Sequence, residues 1–542
     1  MGTPPRSLRS SERVDPEEFS RRVAGKLGDA ADSVDVRNGT IHVSVSAPAV
    51  LGAVRTLKDE PELDCAYFTF LSAIDWEADG FEVLVALASL TYGNTVVIHV
   101  RLPAERPSMA SLTAVFGGAN WHERECAEMF GITFDGHPNL VKLRKRLQPG
   151  GPCDEGADLM GTVPEDLTRV PDLSSTGGLH TEEMVLNVGP QHPATHGVLR
   201  VLVSVDGERI VRAEPVIGYM HRGHEKLVEQ RDFRQITNLL SRMDWLSGIN
   251  NEIPASLAVE RLLGLEVPRR AQYLRVILAE LNRITNHLMF TGSFGLELGA
   301  TTPVMYAFRE RELIQEALEL VTGGRMHFGF IRPGGLKEDV PRGFVELARR
   351  GVRQLVAKIP DYEDLLMGNE IFKQRTVGVG RLDAALALDH GVSGPILRAC
   401  GIPYDIRKAD PYLVYDEFDF DTPLGAQGDS FDRFWVLVQE MKESARIVEQ
   451  ALDGLPEGSH IGAVPKRLTL PQGQIYCHAE NPLGELGYYL VADGGNKPYR
   501  MKIRTPSFSN ISVAAHMLRG AFVPDMIAIL GSMFFVVGDI DR

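Results

Sequence analysis

The segment GPQHPATHG at residues 189–197 sets His192 and His196 four positions apart, hemmed in by Gly189, Pro190, Pro193 and Gly197. Imidazole gives or takes a proton near neutral pH, its ordinary pKa being about 6.5, and it is a common metal ligand. Two histidines at i and i+4 share a metal when a helix puts both on one face. Pro193 between them and strand-like sequence on either side argue against a helix here. No HExxH occurs and no carboxylate stands close by in sequence, so a shared metal is not expected. Two readings are left. Both imidazoles can hydrogen-bond backbone in a tight loop, which is the simpler account from the residues alone and suits His192 beside Pro193. Alternatively His196, next to a glycine that lets a ligand approach closely, donates a proton.

Other residues with chemical potential read more plainly. His122, His137 and His287 are expected to be structural, the last on the apolar helix described below. GVGRLD (378–383) lacks the final glycine of a dinucleotide fingerprint and reads as a turn, and YDEFDFD (415–421) as a solvated loop. Cys65, Cys126, Cys153, Cys400 and Cys477 stand alone, with no CxxC, so reduced thiols are expected and no iron–sulfur cluster on this chain. No nucleophile–base pair is legible from spacing.

The elements that must position these groups fall into two sets. Residues 1–14 read as a polar leader, 15–147 as an α+β domain, 148–179 as a Gly/Pro/Asp-rich linker, and 180–542 as a second domain. In the first domain, TIHVSVSA (40–47), FEVLVALAS (81–89) and TVVIHVRL (95–102) read as strands, preceded by a helix near 16–28. EEMVLNVG (182–189) and GVLRVLVSVDGERIVRAEPVIGY (197–219) predict a small β layer flanking the histidine loop. Past residue 225 the pattern is helical. Leu274, Ile277, Leu278, Leu281, Ile284 and Leu288 form an amphipathic stripe. The segment 430–453 does likewise, with Asp429 or Ser430 as its N-cap.

A chain of 542 residues is too long for one core. Its net charge of −15 speaks against nucleic acid as a partner, and the basic knot Lys142, Arg144, Lys145, Arg146 reads as a solvated or subunit-facing edge. No apolar stretch follows the N-terminal arginines, so no signal peptide is expected. The longest apolar run, Met526–Val537, has twelve residues and suits a core segment, where a membrane span needs about 20.

Longer motifs then carry a resemblance. WHERECAEMFGITFDGHPNL (121–140) resembles the C subunit of respiratory complex I, the proton-pumping NADH:quinone oxidoreductase. LNVGPQHPATHGVLR (186–200), GYMHRGHEKL (218–227), GRMHFGFIRPGG (324–335), SGPILRACGIPYDIRK (393–408), KPYRMKIRTPSF (497–508) and the final GDIDR resemble the D subunit. The order and number of these motifs make the chain similar to a C/D fusion. The resemblance implies a small α+β domain joined to a helix-dominated, hydrogenase-large-subunit-like domain with a small β part. It implies a quinone-reduction site beside the terminal [4Fe-4S] cluster of the complex's B subunit. It also implies the H and I subunits as neighbours, a peripheral place on the cytoplasmic side of the cell membrane, and coupling of electron transfer to proton translocation. Carried over by motif, His196 and Glu297 form the proton-donating pair, His196 and Trp245 contact the quinone, and Arg242 and His327 lie near the partner's cluster. The alternatives for the last two are a structural salt bridge and a core histidine.

The positions that hold thiolates in the related nickel–iron hydrogenases carry Asp244, Ser247, Val536 and Asp539, so nickel chemistry is excluded. Departures from the family cluster around the same pocket: Trp245 for tyrosine, Glu297 for aspartate, Phe534 for aspartate. The usual tail of the C part is missing. A tyrosine hydroxyl can donate and accept, whereas indole N–H only donates, so Trp245 cannot supply a proton. The alternative role is a structural or assembly component of a complex I-like oxidoreductase with a different donor or a degenerate quinone pocket.

Overall fold

The structure, a computed structural model, describes residues 13–143 and 184–542; the expected linker 148–179, most of the leader and most of the basic knot lie outside these residues. In the first half, five strands run β1 (Ser33–Arg37), β2 (Thr40–Ser44), β3 (Tyr67–Asp75), β4 (Phe81–Ser89) and β5 (Asn94–Leu102). They form one sheet in the order β1-β2-β5-β4-β3, antiparallel except for the β2–β5 pair. The expected strands at 40–47, 81–89 and 95–102 are present, as is the first helix, Pro16–Leu27, with Asp15 capping it by accepting from Glu17 N–H.

β3 does not read as an alternating strand because it has no solvent face: every residue from Tyr67 to Ile74 is buried. Phe68, Leu71 and Ala73 join the core of their own half. Phe70 and Ile74 pack with Tyr476, Tyr489 and Val491 of the second half. A strand covered on both faces reads as a continuous apolar run.

In the second half, Met184–Val188, Arg200–Asp206 and Arg209–Val216 make an antiparallel three-stranded layer, and the histidine loop joins the first two strands. A helical body follows, built on Arg269–Glu297 packed against Thr302–Thr322 and Ser430–Asp453. The last of these is capped by Asp429, whose carboxylate accepts from Asp432 N–H. A second antiparallel sheet, Gly473–Asn481, Gly484–Ala492 and Arg500–Arg504, faces β3.

The apolar stripe of the Arg269–Glu297 helix is real, but its other face is not solvent. Arg275, Glu280, Arg283 and His287 are all fully buried. They are paired: Arg275 with Glu260 at 2.5 Å, Glu280 with Arg283 and Arg407 at 3.1 and 3.0 Å, and His287 with Glu440 at 3.0 Å, while Arg283 Nη1 and His287 Nδ1 have no partner among the described residues. The acidic loop 415–421 is half as expected. Its carboxylates are exposed, but Tyr415 and Phe420 are buried, the latter beneath the cations of Arg407 and Lys408.

Candidate functional site

The loop that carries His196 is closed by its own residues. Thr195 Oγ1 donates to the carbonyls of His192 and Pro190 at 2.6 and 3.1 Å, and His192 Nδ1 accepts from Ala194 N–H at 3.2 Å. His192 is thus a capping residue, as expected. Gly189 sits at φ +81° with Leu199 O so close that a Cβ would lie 2.2 Å from it, which only glycine tolerates.

His196 ends this turn in the left-handed region, φ +46°, ψ +40°, a conformation that turns its ring inward. Nδ1 faces the carbonyl of Phe535 at 3.1 Å and Nε2 faces Glu297 Oε1 at 3.0 Å. A carbonyl only accepts, so Nδ1 carries hydrogen. Nε2 and a carboxylate cannot bond unless a proton lies between them. The expected pair is brought together over 101 positions of chain.

The surroundings are apolar. The His196 ring stacks on Phe535 with centroids 4.5 Å apart, and Phe290 lies at 5.8 Å. Phe534, itself at φ +47°, packs on Phe290 at 5.5 Å. Glu297 is the last residue of its helix, at the electronegative end, and its Oε2 is buried without a partner. Phe535 and Phe290 are functional neighbours that sequence reasoning missed. Their aromatic character in FFVVGD and LMFTG was visible, but not that they meet over the histidine.

Trp245 lies in the turn just before the Gly248–Leu263 helix, half-buried against the core, and its indole N–H bonds nothing among the described residues. This turn and the histidine loop share one wall, the C-terminal segment 534–539. His196 takes Phe535 O, while Gly538 lies so close to Met243 O that an added Cβ would sit 2.5 Å from it.

Arg242 and His327 are brought together on the surface. Burial, and next the Arg242 charge, hold the His327 imidazole below its ordinary pKa. Neither alternative given for these residues holds. Arg242 is exposed, donates to Asn238 O at 2.5 Å, and has no carboxylate partner among the described residues; His327 is exposed, not a core histidine. Exposed Met326 adjoins His327 in sequence.

A cavity of about 430 Å³ lies elsewhere, along the seam between the halves, lined in part by Glu125, Phe130, Glu225, Tyr499 and Arg500; it includes none of the candidate site residues. Among the described residues no group of three or more His, Cys, Asp or Glu is arranged to hold a metal ion, and no helix is long and apolar enough to cross a membrane.

The structure joins a five-stranded α+β half to a helical half that holds a half-buried histidine–carboxylate pair. Residues 43–150 match the family model of the respiratory-chain NADH dehydrogenase 30 Kd subunit, and residues 297–469 and 459–542 that of the 49 Kd subunit. The C/D subunit of NADH-quinone oxidoreductase from Nitrosospira multiformis is 38% identical over 515 residues, covering 86% of this chain and 84% of the relative. The D 2 subunit of the same enzyme from Salinispora tropica is 53% identical over 384 residues, covering 70% of this chain and 99% of the relative. The D subunit from Syntrophobacter fumaroxidans is 50% identical over 364 residues, covering 67% of this chain and 98% of the relative. The chain belongs to the C/D-subunit family of NADH-quinone oxidoreductase, and so is an oxidoreductase component with its C and D parts in one polypeptide.

Proposed function

We propose that this chain forms the quinone-reduction site of a complex I-type oxidoreductase, with His196 and Glu297 as its proton-donating pair. The observation that carries the reading is the 3.0 Å approach of His196 Nε2 to Glu297 Oε1 beside the Phe535 and Phe290 rings. Reduction of a quinone by two electrons consumes two protons, and a positioned donor lowers that barrier. Trp245 contacts the headgroup through its ring face and unbonded N–H. Arg242 and His327 face the terminal [4Fe-4S] cluster of the B subunit, which supplies the electrons; their exposed position suits a surface that a partner covers. The B, H and I subunits complete the chamber. That is the reason for expecting it to be open in this chain alone, and the seam cavity is not part of it. The chain sits peripherally on the cytoplasmic side of the membrane, NADH is the electron source, and electron transfer is coupled to proton translocation. The domains divide at residues 148–179.

The test is quinone-analogue reduction by the natively purified complex. His196→Ala should slow it by roughly 10²-fold or more while the complex still assembles. Unchanged turnover in that variant would favour the second reading, a structural or assembly role. The packing of Phe290, Phe534 and Phe535 around His196 gives that reading its one specific support.

A further inference from the structure

From the packing of the 241–247 turn against the C-terminal segment we infer that Asp244 and Asp539 share one proton, and that this pair is the store from which the second proton of quinone reduction is drawn. The inference rests on the quinone-site reading above.

Both carboxylates are fully buried. Each has one oxygen on a backbone N–H: Asp244 Oδ1 accepts from Leu246 at 3.0 Å and Asp539 Oδ2 from Ser507 at 2.9 Å. The other oxygen of each, Asp244 Oδ2 and Asp539 Oδ1, has no hydrogen-bond partner. The residues that adjoin them touch, Gly538 packing directly on the Met243 carbonyl, and the Asp539 charge acts on Asp244. Two neighbouring anions with free oxygens in a dry interior repel strongly, and one shared proton removes both the repulsion and an unmet acceptor.

Arg542 and Arg504 lower Asp539 through their charge, but most of their donors are committed elsewhere, although Arg542 Nε has no partner among the described residues. Arg542 is engaged by Glu125 at 2.6 Å and Ile503 O at 2.7 Å, and Arg504 by the Tyr67 hydroxyl at 2.8 Å and Gly391 O at 2.6 Å. The Ser247 hydroxyl lies near Asp244 without closing a bond to the free oxygen, and it accepts from Asn286 at 2.8 Å. Tyr488 donates to Asn251 O at 3.0 Å, and Glu252 is occupied by three backbone N–H groups, those of Gly329, Phe330 and Ile331. Burial, and after it the Asp539 charge, push Asp244 up to about 7. Burial pushes Asp539 up to about 6 against the opposing pull of Ser507, Arg542 and Arg504. Both shifts favour a proton held on the pair.

The chemistry gives it a use. Quinone, two electrons originating from NADH and two protons give quinol. The His196–Glu297 unit supplies one proton, and Trp245, with only an indole N–H, cannot supply the other. Asp244 immediately precedes Trp245. On release the pair becomes two carboxylates and takes a proton back from solvent. It is a positioning and proton-holding pair, not a group in contact with the quinone.

Redox-difference infrared spectroscopy on the intact complex tests this. The wild type should show a carboxylic acid C=O band that shifts in D₂O, changes on quinone reduction, and titrates away as the pH rises through about 7. Asp244→Asn and Asp539→Asn should each abolish that same band. Each should also slow turnover by roughly tenfold or more and remove the corresponding limb of the pH profile. Trp245→Tyr should restore part of the rate in the Asp244→Asn background. No titrating band in the wild type, or Asn variants with wild-type rate and pH profile, would overturn the inference. The wild-type titration decides even if a variant fails to assemble. If His196→Ala is slow and the Asn variants are not, the store alone is refuted. If His196→Ala runs at the wild-type rate, the quinone-site reading itself fails.

Discussion

At the scale of single residues, the site depends on one hydrogen bond and on what keeps it in place. Glu297 Oε2 lies against Gly531, where a Cβ would sit 2.2 Å from the carboxylate and 2.9 Å from the Phe294 ring. Gly531→Ala should displace Glu297, break its bond to His196, and slow quinone reduction with His196 intact. The readout is a fall in kcat without loss of the assembled complex, and an unchanged kcat would show that Glu297 position is not limiting. Trp245→Tyr is the second residue-scale experiment. A hydroxyl that donates and accepts replaces an N–H that only donates, so rate or preference among menaquinone and ubiquinone analogues should shift while activity persists. An inactive wild type restored by the tyrosine would move the assembly role ahead.

At the scale of elements, buried charge ties secondary structure together. His478, on the Gly473–Asn481 strand, bridges Glu485 of the next strand at 2.8 Å and Asp410, just past the short helix Ile406–Ala409, at 3.0 Å. Burial alone would lower its pKa, but the hydrogen bonds and charges of Asp410 and Glu485 outweigh it and raise it to about 9. Raised above the ordinary histidine value of about 6.5, it contributes stability that is complete below that pH and is lost as pH climbs through about 9. The melting temperature should therefore fall between pH 7 and pH 10, and His478→Gln should flatten that fall. A wild-type melting temperature independent of pH over this range would refute the bridge.

At the scale of the whole molecule, the two halves are held by charge placed on one strand face. Period two puts Arg500, Lys502 and Arg504 on the side of the Arg500–Arg504 strand that looks at the first half. Lys502 Nζ meets Glu125 at 2.7 Å and Arg542 meets the same carboxylate at 2.6 Å; Arg500 donates to Ala73 O at 3.1 Å. Trp76 stacks on Tyr499 with centroids 4.9 Å apart. Two separately expressed pieces, divided within 148–179, should therefore co-purify. Glu125→Gln, which leaves Arg542 buried without this anion and Lys502 with Glu225 alone at 3.1 Å, should weaken that association by roughly 3–5 kcal/mol. Co-purification insensitive to Glu125→Gln would show that apolar contact dominates the seam.

The amino-acid order alone determined much of this. Alternation found three strands of the first sheet, the i, i+3, i+4 stripes found the long helices, and Asp429 was identifiable as a cap. The motifs selected His196 over His192 and named Glu297 as its partner. Local sequence can do this because periodicity and capping are short-range. What it reports is that a face is buried, never against what. Hence β3 went unread, the Arg269–Glu297 helix turned out buried on its polar side, and Phe535 and Phe290 were not placed over the histidine. The carbonyl that fixes His196 Nδ1 is 339 positions away, and Gly538 reaches the Met243 carbonyl only once the chain's end packs under the 241–247 turn. Contacts between such distant positions are made by long-range packing, so only the tertiary structure could decide them.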